Sequence, residues 1–152
     1  LPPSSKAIGT MNESQVEKFN WTDEFSVNSD VLDYEHQALL QIYSEMVDVV
    51  ENNGSNLKMA DLLSQLADYA MTHFRTEEAY MESISYPKLD AHRLLHSQYS
   101  EQVLKFTLDY MNRDPAHPRA ILLFLKNWWT GHILKVDSDY AKFAANLPAD
   151  RG

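Results

Sequence analysis

Cysteine is absent from the 152-residue sequence, which excludes a disulfide framework, an iron–sulfur cluster and any chemistry that needs a thiolate. Glycine is scarce, with four residues, so a collagen-like repeat is excluded. No apolar run approaches the roughly 20 residues that a membrane-spanning helix needs, and we expect no membrane insertion. Basic residues are also few, because 13 Lys and Arg stand against 22 Asp and Glu, for a net charge of -9. This balance argues against binding to nucleic acid or to an anionic membrane.

The first residues, LPPSSKAIGT, lack the basic head and the apolar stretch of a signal peptide. A cytoplasmic location is therefore the default expectation. The Pro/Ser-rich composition is typical of a linker, and we expect residues 1–19 to form a poorly ordered leader. The sequence also begins with a residue other than Met. Together with the linker-like leader, this favours the interpretation that the chain is one domain of a larger signalling protein, which would also have an output domain. A trimmed stand-alone carrier would begin in the same way.

Apolar residues are plentiful enough to form a core, at 44% hydrophobic and 11% aromatic residues. They recur at helical spacing in four long segments, and no segment shows the strict alternation of a half-buried strand. The segments predict helices over residues 31–51, 57–84, 87–113 and 118–145. Four helices with short connections predict an all-α, antiparallel up-down four-helix bundle. Trp21 and Phe25 are expected to form an N-terminal arm, so the domain would span residues 20–146 and leave 147–152 as a tail.

Five of the six histidines fall on the predicted helices. Two pairs have the four-residue spacing that places both side chains on one helix face: His73 with Glu77, and His92 with His96. The first helix adds one candidate and the fourth adds two: His36, His132 and Asp137. Because five residues turn an α-helix by about 140°, Asp137 is expected to reach sideways into the interior. The sixth histidine, His117, lies between two prolines and is expected to be a solvated loop residue.

Each of these candidates has an ordinary structural explanation when it is taken alone. A lone buried histidine is more often hydrogen-bonded in a core than bound to a metal, and a His/Glu pair is commonly exposed. Together, five imidazoles and two carboxylates buried without a cation would cost several kcal/mol, so we predict a metal centre. Asp33 precedes His36 by three residues and is expected either to orient that ring or to cap the first helix. The sequence does not decide between these two roles.

The candidate ligands narrow the choice of metal. Nitrogen and oxygen donors without sulfur suit iron, manganese or zinc, and the donor set alone does not choose among them. Neither the H-E-x-x-H pattern of zinc proteases nor the Glu-x-x-His pair of ferritin-like bundles is present. Seven ligands exceed the needs of one ion but suit two ions that share bridging carboxylates.

The residues around the candidate ligands resemble those of the hemerythrin family. The run HFRTEEAYM from His73 to Met81 is followed by Tyr86-Pro87 and then by the third-helix histidines. Two further blocks resemble the start and the end of the family's domain: Trp21, Phe25, Asp33, His36 and Gln37, and then Trp128, His132, Ile133, Asp137 and Tyr140. The resemblance covers roughly residues 20–143, and the long first connection is most similar to the bacterial branch of the family.

The resemblance implies a non-haem di-iron centre that binds O2 reversibly. It implies one iron on His92, His96 and His132, a second iron on His36 and His73, and bridges from Glu77, Asp137 and an oxo or hydroxo group. The second iron then has five donors and keeps one position open for O2. We therefore expect an O2 carrier, store or sensor and not an enzyme. The alternatives are a di-iron enzyme acting on peroxide, nitric oxide or ferrous iron, and a purely structural bundle without metal.

The sequence departs from the family pattern at one position. The family usually has a leucine directly after the tryptophan of its last helix, whereas this sequence has Trp129 there. The resemblance implies that this position and that of Ile133 line the O2 pocket. We therefore expect Trp129 to narrow or reshape the pocket and to alter O2 affinity or autoxidation.

Overall fold

Four helical rods make up the part of the chain that the computed structural model describes, residues 17–112 and 118–148. Helix α1 spans Asp30–Glu51, α2 spans Asn56–Ser83 and α3 spans Leu89–Met111. The fourth rod joins α4, Pro118–Gly131, through a π-helical segment, His132–Asp137, to α5, Ser138–Ala145. A short 3-10 turn, Asp23–Phe25, precedes α1. The predicted all-α four-helix bundle is confirmed, and its helix boundaries agree to within about two residues.

The helix starts follow from short polar side chains and from proline. The Ser29 hydroxyl accepts a hydrogen bond from the Leu32 N–H at 3.3 Å, which caps α1. The Ser55 hydroxyl caps α2 in the same way, at 3.2 Å from the Lys58 N–H. Pro118 opens α4 at the first helical position, where its missing N–H costs nothing.

Two apolar clusters fill the interior. The larger cluster holds most of the buried residues of α1, α2 and α4, including Leu63, Leu66 and Ile121. The smaller cluster includes Leu32, Met81 and Tyr140 and lies at the other end of the candidate site. The predicted ligands thus sit between two hydrophobic layers, which shield them from water. None of the helices in the described ranges is both long and apolar enough to cross a membrane.

The N-terminal arm packs on the bundle as expected. Phe25 is buried, and the rings of Trp21 and Phe25 are 5.6 Å apart. The contact with the bundle begins earlier in the sequence than predicted. The Phe19 ring lies 5.5 Å from the Tyr43 ring, and the Tyr43 hydroxyl donates a hydrogen bond to the Glu17 carbonyl at 3.2 Å. Phe19 and Glu17 therefore contact the bundle, and the domain bounds stay a prediction. The rest of the predicted leader, His117 and residues 149–152 lie outside the described residues.

Asp33 is hydrogen-bonded to the N-terminal arm. Its carboxylate accepts hydrogen bonds from the Ser26 hydroxyl at 2.6 Å and from the Val27 N–H at 2.8 Å. Both oxygens therefore hold the arm against the first turn of α1, and the cap of that helix is Ser29. Among the described residues no hydrogen bond joins Asp33 to His36, and the orienting role of Asp33 stays a prediction.

We predict opposite effects of one added methyl group at two glycines. Gly131 has helical angles (φ -64°, ψ -43°), and a Cβ there would meet no atom within 4 Å. Gly131→Ala should therefore raise the free energy of unfolding by about 0.5–1 kcal/mol. At Gly54 a Cβ would lie 2.7 Å from Val49 Cγ1, so Gly54→Ala should lower it by about 1–3 kcal/mol. Urea denaturation measures the free energy of unfolding of both variants. Equal changes in the two variants would contradict the close packing at Gly54.

Candidate metal centre

All seven predicted ligands have buried side chains and converge at one place in the bundle. They come from every rod: His36 from α1, His73 and Glu77 from α2, His92 and His96 from α3, His132 and Asp137 from the π-helical segment. The Nε2 atoms form two groups around the two carboxylates. We call them the three-histidine group (His92, His96 and His132) and the two-histidine group (His36 and His73).

Glu77 lies between the two groups. Its Oε1 is 3.1 Å from His92 Nε2 and 3.0 Å from His96 Nε2. Its Oε2 is 3.4 Å from His36 Nε2 and 3.3 Å from His73 Nε2. Each oxygen of this carboxylate therefore faces a different histidine group, which is the arrangement of a bridging ligand.

Asp137 is divided between the groups in the same way. Its Oδ1 is 3.0 Å from both His92 Nε2 and His132 Nε2. Its Oδ2 is 3.2 Å from His36 Nε2. Two carboxylates thus span the same pair of groups from different sides.

The distances and the unpaired atoms fit metal coordination better than hydrogen bonding. His132 Nε2 lies 3.1 Å from His92 Nε2 and 3.2 Å from His96 Nε2. Metal–nitrogen bonds of about 2.1 Å at right angles place neighbouring ligand atoms about 3 Å apart. The Nε2 atoms of His36 and His73 and both oxygens of Asp137 are buried without a hydrogen-bond partner among the described residues. Cations at the two groups would satisfy these atoms, so the donor set fits a metal.

The electrostatics of the site show how strongly it needs positive charge. Burial lowers the pKa of His36, but the contacts with Asp137 and Glu77 outweigh burial and raise that pKa to about 9. The pKa of His92 rises to about 9 for the same reason. Burial would raise the pKa of Glu77, but its histidine partners hold that pKa well below the ordinary range. The two carboxylates therefore stay ionised and attract protons or metal ions to the imidazoles.

The π-helical segment corrects the prediction for Asp137. We expected a continuous α-helix in which this carboxylate reaches sideways. In a π-helix the hydrogen bonds run between residues five apart, so His132 and Asp137 lie one turn apart on the same side. The widened turn explains how Asp137 Oδ1 comes within 3.0 Å of His132 Nε2.

Sequence reasoning missed two carboxylates that accept hydrogen bonds from the outer nitrogens of the candidate ligand histidines. His73 Nδ1 donates to Glu35 Oε1 at 2.9 Å, and His96 Nδ1 donates to Glu78 Oε2 at 2.7 Å. Both glutamates were visible as direct neighbours of candidate ligands, His36 and Glu77. Adjacent helix residues point in different directions, so each glutamate can reach a histidine on the neighbouring helix. Such carboxylate–histidine contacts orient metal ligands in many proteins.

Aromatic rings cover the histidines. The Trp128 ring stacks on His132 at 4.2 Å between centroids, and the Phe74 ring stacks on His96 at 3.8 Å. Trp129 lies beside the two-histidine group, with its ring 6.4 Å from that of His36 and 6.2 Å from that of His73. Ile133 is buried in the larger apolar cluster. The positions expected to line a pocket are thus buried, and Trp129 borders the two-histidine group.

Comparison with known proteins identifies the family. The sequence matches the family model described as the hemerythrin HHE cation binding domain over residues 27–144. The chain belongs to the hemerythrin family. It is 32% identical over 126 residues to bacteriohemerythrin of Clostridium acetobutylicum, covering 80% of this chain and 98% of the relative. It is 31% identical over 126 residues to myohemerythrin-1 of Phascolopsis gouldii, covering 82% and 92%.

Solved structures support the hemerythrin fold. A crystal structure of wild-type hemerythrin matches with a TM-score of 0.77 at 24% identity, covering 83% of this chain and 97% of that one. The predicted family is confirmed, and with it iron and oxygen binding as the family's chemistry. The assignment of individual residues to metal ions remains a prediction.

We predict that Tyr140 stabilises the ionised Glu77. The Tyr140 hydroxyl is buried and donates to Glu77 Oε2 at 2.9 Å. Tyr140→Phe keeps the ring but removes a hydrogen bond to a charge, so the free energy of unfolding should fall by about 1.5–3 kcal/mol. Tyr43→Phe is the control, because that hydroxyl bonds to a neutral carbonyl and its loss should cost only about 0.5–1.5 kcal/mol. Urea unfolding of the metal-loaded proteins tests the order, and a larger loss for Tyr43→Phe would contradict it.

Proposed function

We propose that this domain binds O2 reversibly at a non-haem centre of two iron ions. The observation that carries the proposal is the way Glu77 and Asp137 divide their oxygens between the two histidine groups. A single ion would leave one group and one oxygen of each carboxylate without a partner. His92, His96 and His132 would hold one iron and His36 and His73 the other, with both carboxylates as bridges.

The two histidine groups differ by one nitrogen donor, which makes the two sides of the centre unequal. The three-histidine group would supply three nitrogens and two carboxylate oxygens, whereas the two-histidine group would supply two nitrogens and two oxygens. The side of His36 and His73 would therefore be the open side, with fewer protein donors. Iron held there would supply the electrons that reversible O2 binding needs. The buried Trp129 ring beside this side restricts space and keeps water away.

The protein groups near the site favour binding over catalysis. Cleavage of an O–O bond calls for a proton donor at the bound molecule. Three acidic or phenolic groups around the centre have other partners: Glu35 and Glu78 accept from histidines, and the Tyr140 hydroxyl donates to Glu77. We therefore propose a carrier, store or sensor of O2. The output domain and the cytoplasmic location stay predictions.

The first test is iron content and reversible O2 binding. We expect two irons per chain and a visible spectrum that changes when O2 is admitted to the reduced protein and reverts when O2 is removed. His73→Ala removes one of two nitrogens from the open side and should abolish this cycle. Thr72→Ala is the matched control, because Thr72 is next to His73 in sequence but exposed, and its hydroxyl donates to the Asp68 carbonyl of the same helix. One iron per chain, or an unchanged cycle in His73→Ala, would refute the proposal.

The second test concerns the tryptophan beside the open side. Trp129→Leu should open space next to His36 and His73 and increase the rates of O2 dissociation and autoxidation, because a smaller side chain admits water. Trp128→Leu is the control, since the Trp128 ring stacks on His132 in the other group. Stopped-flow dissociation and the slow spectral change in air measure the two rates. A larger effect of Trp128→Leu would contradict the position of the open side.

A further inference from the structure

One histidine of each group is hydrogen-bonded to a glutamate on its outer nitrogen. In the two-histidine group this is His73, at 2.9 Å from Glu35, and in the three-histidine group it is His96, at 2.7 Å from Glu78. The outer nitrogens of His36 and His92 are buried without a partner among the described residues. Within the described residues, each group therefore has one imidazole whose outer nitrogen is hydrogen-bonded to a carboxylate.

The two glutamates differ in their other contacts. Glu78 Oε1 accepts from Arg93 Nε at 3.2 Å, so an arginine compensates its charge. Among the described residues, the hydrogen-bond partner of Glu35 Oε2 is the neutral Thr76 hydroxyl at 3.4 Å, which also lies 3.1 Å from the Thr72 carbonyl oxygen. Within the described ranges no lysine or arginine forms an ion pair with Glu35. Its side chain is also the less exposed of the two, at 14% against 24%.

The difference in charge bears directly on the metal ligands. A carboxylate that accepts the Nδ1 proton increases electron density on the imidazole and makes Nε2 a stronger donor. A nearby cation weakens this effect, and water screens it. The polarisation is therefore strongest at His73, which belongs to the group with fewer ligands. In a group with fewer ligands, each donor atom contributes a larger share of the electron density at the metal.

We propose that Glu35 is a positioning residue that acts through His73 to lower the reduction potential of the centre and to strengthen its O2 binding. Arg93 keeps the corresponding effect of Glu78 small. The O2 part of this inference rests on the proposed function, whereas the effect on the potential requires only that iron is bound. The unequal pair of glutamates thus gives the side that binds O2 the more electron-rich ligand.

Three variants of the iron-loaded protein test the proposal. Glu35→Gln keeps an oxygen that can accept the Nδ1 proton but removes the charge. We expect the midpoint potential, measured without O2, to become more positive, and the O2 dissociation constant to rise by about 10- to 100-fold. Glu78→Gln should change both quantities in the same direction but less. Arg93→Gln removes an exposed cation and should make the potential more negative.

The outcomes separate this inference from the proposed function. Equal shifts for the two glutamate variants, or no shift for Glu35→Gln, would overturn the role of Glu35. If the wild-type protein failed to bind O2 while the midpoint potentials of the variants followed the expected order, the proposed function would be refuted. The effect of Glu35 on the potential would still be supported. Circular dichroism and iron content check that the variants fold. If Glu35→Gln does not fold, Arg93→Gln serves as the test, because the Arg93 side chain is 44% exposed and is not needed for packing. An unchanged midpoint potential in Arg93→Gln would overturn the proposal.

Discussion

The burial of two ionised carboxylates among five imidazoles is the constraint on which the rest of the structure depends. Such a cluster is stable only if positive charge enters it, as protons or as metal ions. Because the predicted ligands come from all four rods, a cation there would link every helix of the bundle. Metal binding would therefore be coupled to folding, and the two hydrophobic layers around the site would increase that coupling by excluding water.

The centre is unequal in three respects that agree with one another. One histidine group has three imidazoles and the other has two, and the smaller group is bordered by Trp129. Its carboxylate partner Glu35 has no ion pair with an arginine in the described part of the chain. In the proposed centre, ligand number, available space and electron density would all distinguish the same side. A symmetric bundle could hold two metals, but it would not determine where a third molecule binds.

Much of this could be predicted from the sequence, because helical spacing is a local property. The pairs His73 with Glu77 and His92 with His96 each lie on one face of a regular helix, and the family resemblance supplied their grouping. The features that were missed depend on contacts between elements or on a change of helix type. Asp33 bonds to the arm, Glu35 and Glu78 bond to histidines of neighbouring helices, and the π-helical segment departs from the periodicity that the prediction assumed.

The π-helical segment also has a genetic consequence. Its wide turn is equivalent to an α-helix that has accepted one additional residue. Loss of one codon between His132 and Asp137 would let the rod return to regular α-helix, with the aspartate four residues after the histidine and on the same face. The residues beyond, including Tyr140 with its hydrogen bond to Glu77, would stay close to their present orientation. The widened turn therefore lets a five-residue spacing place His132 and Asp137 as a four-residue spacing places His73 and Glu77.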